Sequence, residues 1–297
     1  MCETKERLNY IKPRPQQLRR WVLQIFVLLQ SLTYLQGIIQ LIISQGIDHY
    51  ILLVYDNLYK RLFFELNFCE NTKYLRLKAL EARVVKIAPS ILSADYIKLG
   101  EEIRSIESAD YLHFDVMDGM FVPNLSIGIP VLESVRKFTE MTLDVHLMIT
   151  SPSRFIEAFA NAGADIIVFH VEAETPENIH TAIDRIHGLG KRAGLSIKPA
   201  TPISALEPYI DKLDMALIMT VEPGYGGQKF IMEMLPKISQ LRDLIIERKL
   251  SCEIQVDGGI NLKTARLCTD AGANVLVAGS YIFGKADRAA HIAELRN

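Results

Sequence analysis

Cysteine is scarce in this 297-residue chain. Its four residues (Cys2, Cys69, Cys252 and Cys268) are scattered and form no Cys-x-x-Cys pair. That excludes a disulfide framework and reads as reduced thiols in a reducing compartment. An excess of one charge sign is missing too. Lys and Arg number 33 against 35 Asp and Glu, a net charge of −2, so nothing at whole-chain level advertises a nucleic-acid partner. Methionine is absent between Met1 and Met117, so a shorter product would have to begin at a non-Met codon, for example at Val84 or Val85. Residues 21–47, "WVLQIFVLLQSLTYLQGIIQLIISQGI", lack charge altogether.

That uncharged run is long enough to span a bilayer, where about 20 apolar residues suffice. Gln24, Gln30, Gln36, Gln40 and Gln45 interrupt it, and an unpaired amide in hydrocarbon is costly. It has no small-residue cleavage site and is not Ser-rich, which argues against a secretory signal or a transit peptide. Residues 1–85 carry 12 Lys and Arg against 7 Asp and Glu, a net +5, while the remainder carries −7. The chain therefore divides at about residue 85. Residues 1–85 read as an N-terminal extension, a helical hairpin or non-native leader rather than a membrane anchor, and the protein as cytoplasmic.

What is present from Lys86 onward is a repeat of short apolar runs. They fall at 86–92, 110–116, 141–149, 164–172, 191–197, 214–221, 252–259 and 273–280. Amphipathic stretches separate most of them. "SPSRFIEAFANAGA" predicts a helix capped by Ser151 or Ser153 and stopped at Gly163. "NLKTARLCTDAGA" predicts one capped by Asn261 and stopped at Gly272. Eight strand–helix alternations in 212 residues predict an α/β fold of the (β/α)8 TIM-barrel type over 86–297, with a doubly wound sheet as the alternative.

Such barrels place chemistry at the C-terminal ends of their strands. In "YLHFDVMDGMFVPN" the period of two puts His113, Asp115 and Met117 on one face and Leu112, Phe114 and Val116 on the other. The third run carries Asp144, His146 and Met148 on one face, the sixth ends at Met219, and the seventh ends at Asp257. His113, Asp115, His146 and Asp257 make a nitrogen and oxygen ligand set suited to one divalent ion such as Zn, Fe(II), Mn or Co. Glycine-bearing loops follow the last three strands: "PGYGGQ", "DGG" and "GS". Glycine lets backbone N–H groups approach an anion closely, so these loops predict a phosphate site with few basic side chains.

Residues 86–297 resemble the ribulose-phosphate 3-epimerase family of the pentose-phosphate and Calvin-cycle pathways. The matching stretches, in order, are "KIAPSILSAD", "YLHFDVMDGMFVPN", "DVHLMI", "FHVEA", "MTVEPGYGGQKF", "VDGGI" and "AGANVLVAGS". The resemblance implies C3 epimerisation of D-ribulose 5-phosphate to D-xylulose 5-phosphate by two-carboxylate proton transfer through an enediolate. It implies His113, Asp115, His146 and Asp257 as metal ligands, with Asp115 and Asp257 as the catalytic acid and base. Ser90, His146, Gly224, Tyr225, Gly226, Gly227, Asp257, Gly258, Gly259, Gly279 and Ser280 are implied to hold the sugar phosphate, with Met117, Met148 and Met219 lining the pocket. A homo-oligomer is implied as well. Met120, "LSIGIP" and Tyr225 depart from the family pattern. The nearest other reading is an epimerase of a six-carbon ketose phosphate such as allulose 6-phosphate. Decarboxylases and aldol-type synthases on similar barrels carry Asp-x-Lys-x-x-Asp, whereas Asp115-Val-Met-Asp118 has no lysine. A reading of another class, a membrane-anchored or partner-binding protein with an inert barrel, is opposed by the intact ligand set.

Overall fold

The computed structural model describes residues 84–296. The uncharged run at 21–47, and the extension expected over 1–85 apart from its last two residues, lie outside the described residues. Among those described, no helix is long and apolar enough to cross a membrane.

All eight apolar runs form strands: β1 (Lys86–Pro89), β2 (Tyr111–Met117), β3 (Thr142–Met148), β4 (Ile166–His170), β5 (Arg192–Ile197), β6 (Met215–Met219), β7 (Glu253–Asp257) and β8 (Val275–Ala278). They pair in parallel in the circular order β1-β8-β7-β6-β5-β4-β3-β2. The circuit closes between β1 and β2 through one parallel bridge, Ser90 to His113. Around the sheet run α1 (Leu99–Arg104), α2 (Ile129–Phe138), α3 (Ile156–Asn161), α4 (Pro176–Gly188), α5 (Leu235–Glu247), α6 (Leu262–Ala271), α7 (Ser280–Phe283) and α8 (Arg288–Arg296). The β5–β6 crossover carries only two 3₁₀ turns, Ile203–Ala205 and Ile210–Lys212.

The period of two in β2 sorts its side chains as the sequence predicts. Leu112, Phe114 and Val116 point outward into the main core beneath the helices. Tyr111 joins Ile166, Met215 and Leu217 in a separate apolar cluster inside the barrel. Fully burying a Leu, Ile or Phe side chain contributes about 1.5–3 kcal/mol, so this two-sided burial holds the strand firmly. Helix ends follow local chemistry. Asn261 caps α6 in a reciprocal capping box with Thr264, and Gly272 ends it. The expected Ser cap of α3 is not made. Ser151 sits in the left-handed region and its side chain accepts no helix N–H, while the Ser153 N–H is taken by Glu174 from the loop between β4 and α4. Pro152–Arg154 forms a 3₁₀ turn instead, and α3 begins at Ile156.

The N-terminal end of the barrel is tied by a fourfold repeat. The residue just ahead of each even strand, or nearly so, accepts a backbone N–H from the preceding odd strand. Asp110 takes Ile87 at 2.8 Å, Asp165 takes Leu143 at 2.9 Å, Asp214 takes Ala193 at 2.8 Å and Asn274 takes Ile254 at 2.7 Å. Each acceptor also binds a donor from the helix before that odd strand: Arg296, Arg136, His187 and Arg242 respectively. For β1, the preceding helix is α8 at the far end of the chain. The barrel is therefore four linked two-strand units.

Inside that end, Glu253, the first residue of β7, accepts from Lys86, Tyr111 and Arg192, the first residues of β1, β2 and β5. Burial opposes ionisation of Glu253, but Lys86 and Arg192 outweigh it and hold its carboxyl below the ordinary 4.5. A carboxylate with a depressed folded pKa stabilises the fold above its unfolded pKa and loses that contribution as pH falls through the folded value. Breaking a fully buried pair costs about 3–5 kcal/mol. With Lys86 and Arg192 each about a third exposed, Glu253→Gln is expected to cost about 2 kcal/mol, or roughly 6 °C in Tm. The Tm gap between variant and native protein, measured by thermal denaturation, should narrow between pH 7 and pH 3. A constant gap would remove the ionic contribution.

Candidate active site

The strand ends bring the expected residues together. Asp115 Oδ1 lies 3.3 Å from His113 Nε2 and 3.3 Å from His146 Nδ1. Asp257 Oδ2 lies 3.8 Å from each of the same nitrogens. The four donor atoms all fall within 4.8 Å of one another. Edges of this length suit donors about 2.0–2.2 Å from a shared centre. His113 Nε2 is fully buried and has no hydrogen-bond partner. A buried ring nitrogen facing two carboxylates calls for positive charge at that point, either a proton on the ring or a metal ion between the three groups. The residues present therefore fit a divalent ion.

Three of the four members are braced as follows. The second oxygen of Asp115, Oδ2, accepts a 2.6 Å hydrogen bond from Ser90 Oγ, so Ser90 orients the carboxylate. His113 donates from Nδ1 to Asp144 Oδ2 at 2.7 Å, and Gln255 donates to the same oxygen. The Asp257 backbone carbonyl accepts from Thr220 N at 2.7 Å and Thr220 Oγ1 at 2.8 Å, fixing the end of β7 against β6. The next two residues must be glycine. Gly258 and Gly259 have φ of +117° and +65°, and a Cβ would lie 2.4 Å from Val221 Cγ2 at the first and 2.6 Å from Phe230 N at the second.

Burial alone would favour neutral groups, and the charges then set their order. Burial lowers the pKa of His113, but Asp115 and Asp144 outweigh it and hold the imidazole well above 6.5. Burial raises Asp115, but His113 and His146 outweigh it and hold this carboxyl far below the usual range. Asp257 is pushed up to about 6, first by burial and then by the Asp115 charge. Two carboxylates around one site with opposite shifts are the pattern of an acid and base pair.

Above the four ligands opens a cavity of about 720 Å³. Its wall contains Ser90, Asp115, Asp257, the three methionines Met117, Met148 and Met219, and the loop residues Gly224, Tyr225, Gly226, Gly227, Gly258, Gly259, Gly279 and Ser280. His113 and His146 are not in that wall. Both are fully buried beneath it, so His146 faces the site only through Nδ1. Lys229, Lys263 and Lys285 line the same cavity, so the glycine loops have more cationic company than the sequence suggested. The sequence reading placed Asp144 beside His146 without assigning it a role. It passed over Gln255, His170 and Glu172 as site residues. The signal was there in the period of two: Gln255 sits two residues before Asp257, and His170 and Glu172 lie two apart at the end of the fourth run.

The family model for the ribulose-phosphate 3 epimerase family matches residues 86–283. The chain belongs to that family. Its relatives include the ribulose-phosphate 3-epimerase of Bacillus subtilis (strain 168), 50% identical over 216 residues that make up 72% of this chain and 99% of the relative. The enzyme of that name from Synechocystis sp. is 48% identical, with 72% and 94% covered. The chloroplastic ribulose-5-phosphate-3-epimerase of Arabidopsis thaliana is 46% identical, with 68% and 73% covered. Among solved structures, a 3-hexulose-6-phosphate synthase superposes with a TM-score of 0.52 at 20% identity, covering 71% of this chain and 96% of that one. At that identity the likeness is one of fold. The epimerase family, and the isomerase class of enzyme with it, rests on the closer relatives.

Proposed function

We propose that this chain interconverts D-ribulose 5-phosphate and D-xylulose 5-phosphate by inverting C3, and that residues 86–297 carry the activity without help from 1–85. The observation that carries this reading is the pair Asp115 and Asp257 on one cavity, each facing the same two histidine nitrogens. They stand on β2 and β7, three strand positions apart around the barrel, so they can address a carbon between them from two sides. One carboxylate takes the C3 proton. The C–H electron pair becomes the C2–C3 double bond of an enediolate, with charge on the C2 oxygen. The other carboxyl group then delivers its proton to the opposite face of C3, and the C2 carbonyl re-forms. Each carboxyl ends in the other's starting state, so the reverse turnover is equally served.

His113, Asp115, His146 and Asp257 would hold one divalent ion, with Zn, Fe(II), Mn and Co all suited to two imidazoles and two carboxylates. Bound there, the ion supplies Lewis-acid polarisation of the substrate carbonyl. Met117, Met148 and Met219 add polarizable apolar surface and no competing donors. The loops at Gly224 to Gly227, Gly258, Gly259, Gly279 and Ser280 would take the phosphate through backbone N–H groups, with Lys229, Lys263 and Lys285 contributing charge. Exposed Ile97, Met120 and Leu125 support association with further copies of the chain. Cys252 and Cys268 are unpaired, which supports a reducing compartment, and we place the protein in the cytoplasm. The test is turnover of ribulose 5-phosphate beside allulose 6-phosphate. A higher kcat/KM for the pentose phosphate is expected; a higher value for the hexulose would reassign the substrate.

A further inference from the structure

Two histidines face the proposed ion, and each must present a bare nitrogen. A neutral imidazole carries one proton, so whatever binds the other nitrogen decides which atom is free. For His113 that partner is the Asp144 carboxylate. For His146 it is another histidine. His146 Nε2 lies 3.0 Å from His170 Nε2, and the two rings meet nearly end to end, with centroids 5.0 Å apart and 29° between planes. Two nitrogens at that distance share a single proton. Which ring owns it is decided one step further out. His170 Nδ1 lies 3.1 Å from Glu172 Oε2. The other Glu172 oxygen, Oε1, accepts from the Lys198 N–H at 2.8 Å and from the Thr201 hydroxyl. A carboxylate has no proton to give here, so Nδ1 of His170 is the donor. Its Nε2 is then the bare atom, and the shared proton belongs to His146 Nε2. Nδ1 of His146 is left as a lone pair aimed at the position between Asp115 and Asp257.

We propose that His170 and Glu172 are positioning residues that lock His146 in the metal-binding tautomer. The inference rests on the reading of His113, Asp115, His146 and Asp257 as the metal site. Packing supports a positioning role for His170. Its ring is fully buried, with Phe121 4.9 Å away on centroids, so it cannot turn aside. Without the relay, His146 is free to move its proton to Nδ1 and donate it to Asp115, 3.3 Å away. That contact blocks the lone pair an ion needs. Glu172→Gln reverses the relay. The Gln carbonyl keeps the Lys198 and Thr201 donors, and its amide donates to His170 Nδ1. His170 then carries its proton on Nε2, and His146 is forced to hold its own on Nδ1.

The experiment is Zn²⁺ affinity of the full-length chain, by competition with a chromogenic chelator, with histidine tautomers read by ¹⁵N NMR on ring-labelled protein. Glu172→Gln, and independently His170→Phe, are expected to weaken Zn²⁺ binding by about 10–100-fold. Turnover should recover toward the native value at saturating Zn²⁺, which a general loss of structure would not allow. NMR should show the His146 proton on Nε2 in the native chain and on Nδ1 in Glu172→Gln. Unchanged Zn²⁺ affinity in Glu172→Gln, or a native His146 proton on Nδ1, would overturn the relay while leaving the metal site intact. Failure of the native chain to bind Zn²⁺, Mn²⁺ or Co²⁺ would overturn the metal site and the relay with it.

Discussion

Asp257→Asn is expected to lower turnover by about 10²–10⁴-fold, the range set by losing one positioned acid or base. Asp115→Asn should do the same. Turnover alone does not separate loss of a proton carrier from loss of a metal ligand, because both carboxylates sit among the four converging donors. Solvent exchange does. With one carboxyl left, the enzyme can still remove the C3 proton from one face and return a deuteron from D₂O to that same face. Each single variant that retains its ion, checked by elemental analysis, should therefore exchange deuterium into one epimer only, and the two variants into opposite epimers. Substrate binding should change much less than turnover, since the phosphate loops are untouched. Near-native turnover in either variant, or exchange into both epimers with a single carboxyl, would end the two-carboxylate account.

Removing the divalent ion is expected to reduce activity by about 10³-fold or more, since polarising a carbonyl beside a developing carbanion is worth several kcal/mol. The fold should survive. The main core lies between sheet and helices, and none of the four ligands belongs to it, so far-UV circular dichroism of the stripped chain should match the loaded form. The Tm should nonetheless fall, because an ion that binds only the folded state stabilises it by mass action. Returning Zn²⁺, Mn²⁺, Co²⁺ or Fe²⁺ one at a time should restore activity to different extents and rank the ions. Full activity in protein shown to be free of metal would exclude this role.

The legibility of the site in the sequence followed from strand geometry. His113 and Asp115, or Asp144 and His146, lie two residues apart, so a period of two puts each pair on one face whatever the rest of the chain does. Asp257 ends its strand ahead of two glycines, which marked both the strand terminus and the turn. Local chemistry failed at Ser151, where a serine ahead of a helical pattern looked like a cap. Its backbone instead turns left-handed at the end of β3, and Glu174 claims the N–H that a cap would need. The fourfold ties at the N-terminal end were hidden for a similar reason. Asp110, Asp165, Asp214 and Asn274 occupy one structural position, but their hydrogen-bond donors come from helices at unequal spacings and, for Asp110, from the opposite end of the chain.

The amino-acid sequence by itself determined eight strands with one face turned inward, four ligand-type side chains at strand ends, and glycines in the loops after the last strands. These are properties of single strands and single turns, set by backbone periodicity and by the steric cost of a Cβ. Only the tertiary structure decided which nitrogen of each histidine is free. Asp144 reaches His113 across 31 residues, and Gln255 reaches Asp144 across 111. His170 reaches His146 from the neighbouring strand. A proton's place on an imidazole depends on what lies within about 3 Å of its far nitrogen, and in a closed barrel that neighbour is set by the circuit of strands rather than by the order of residues.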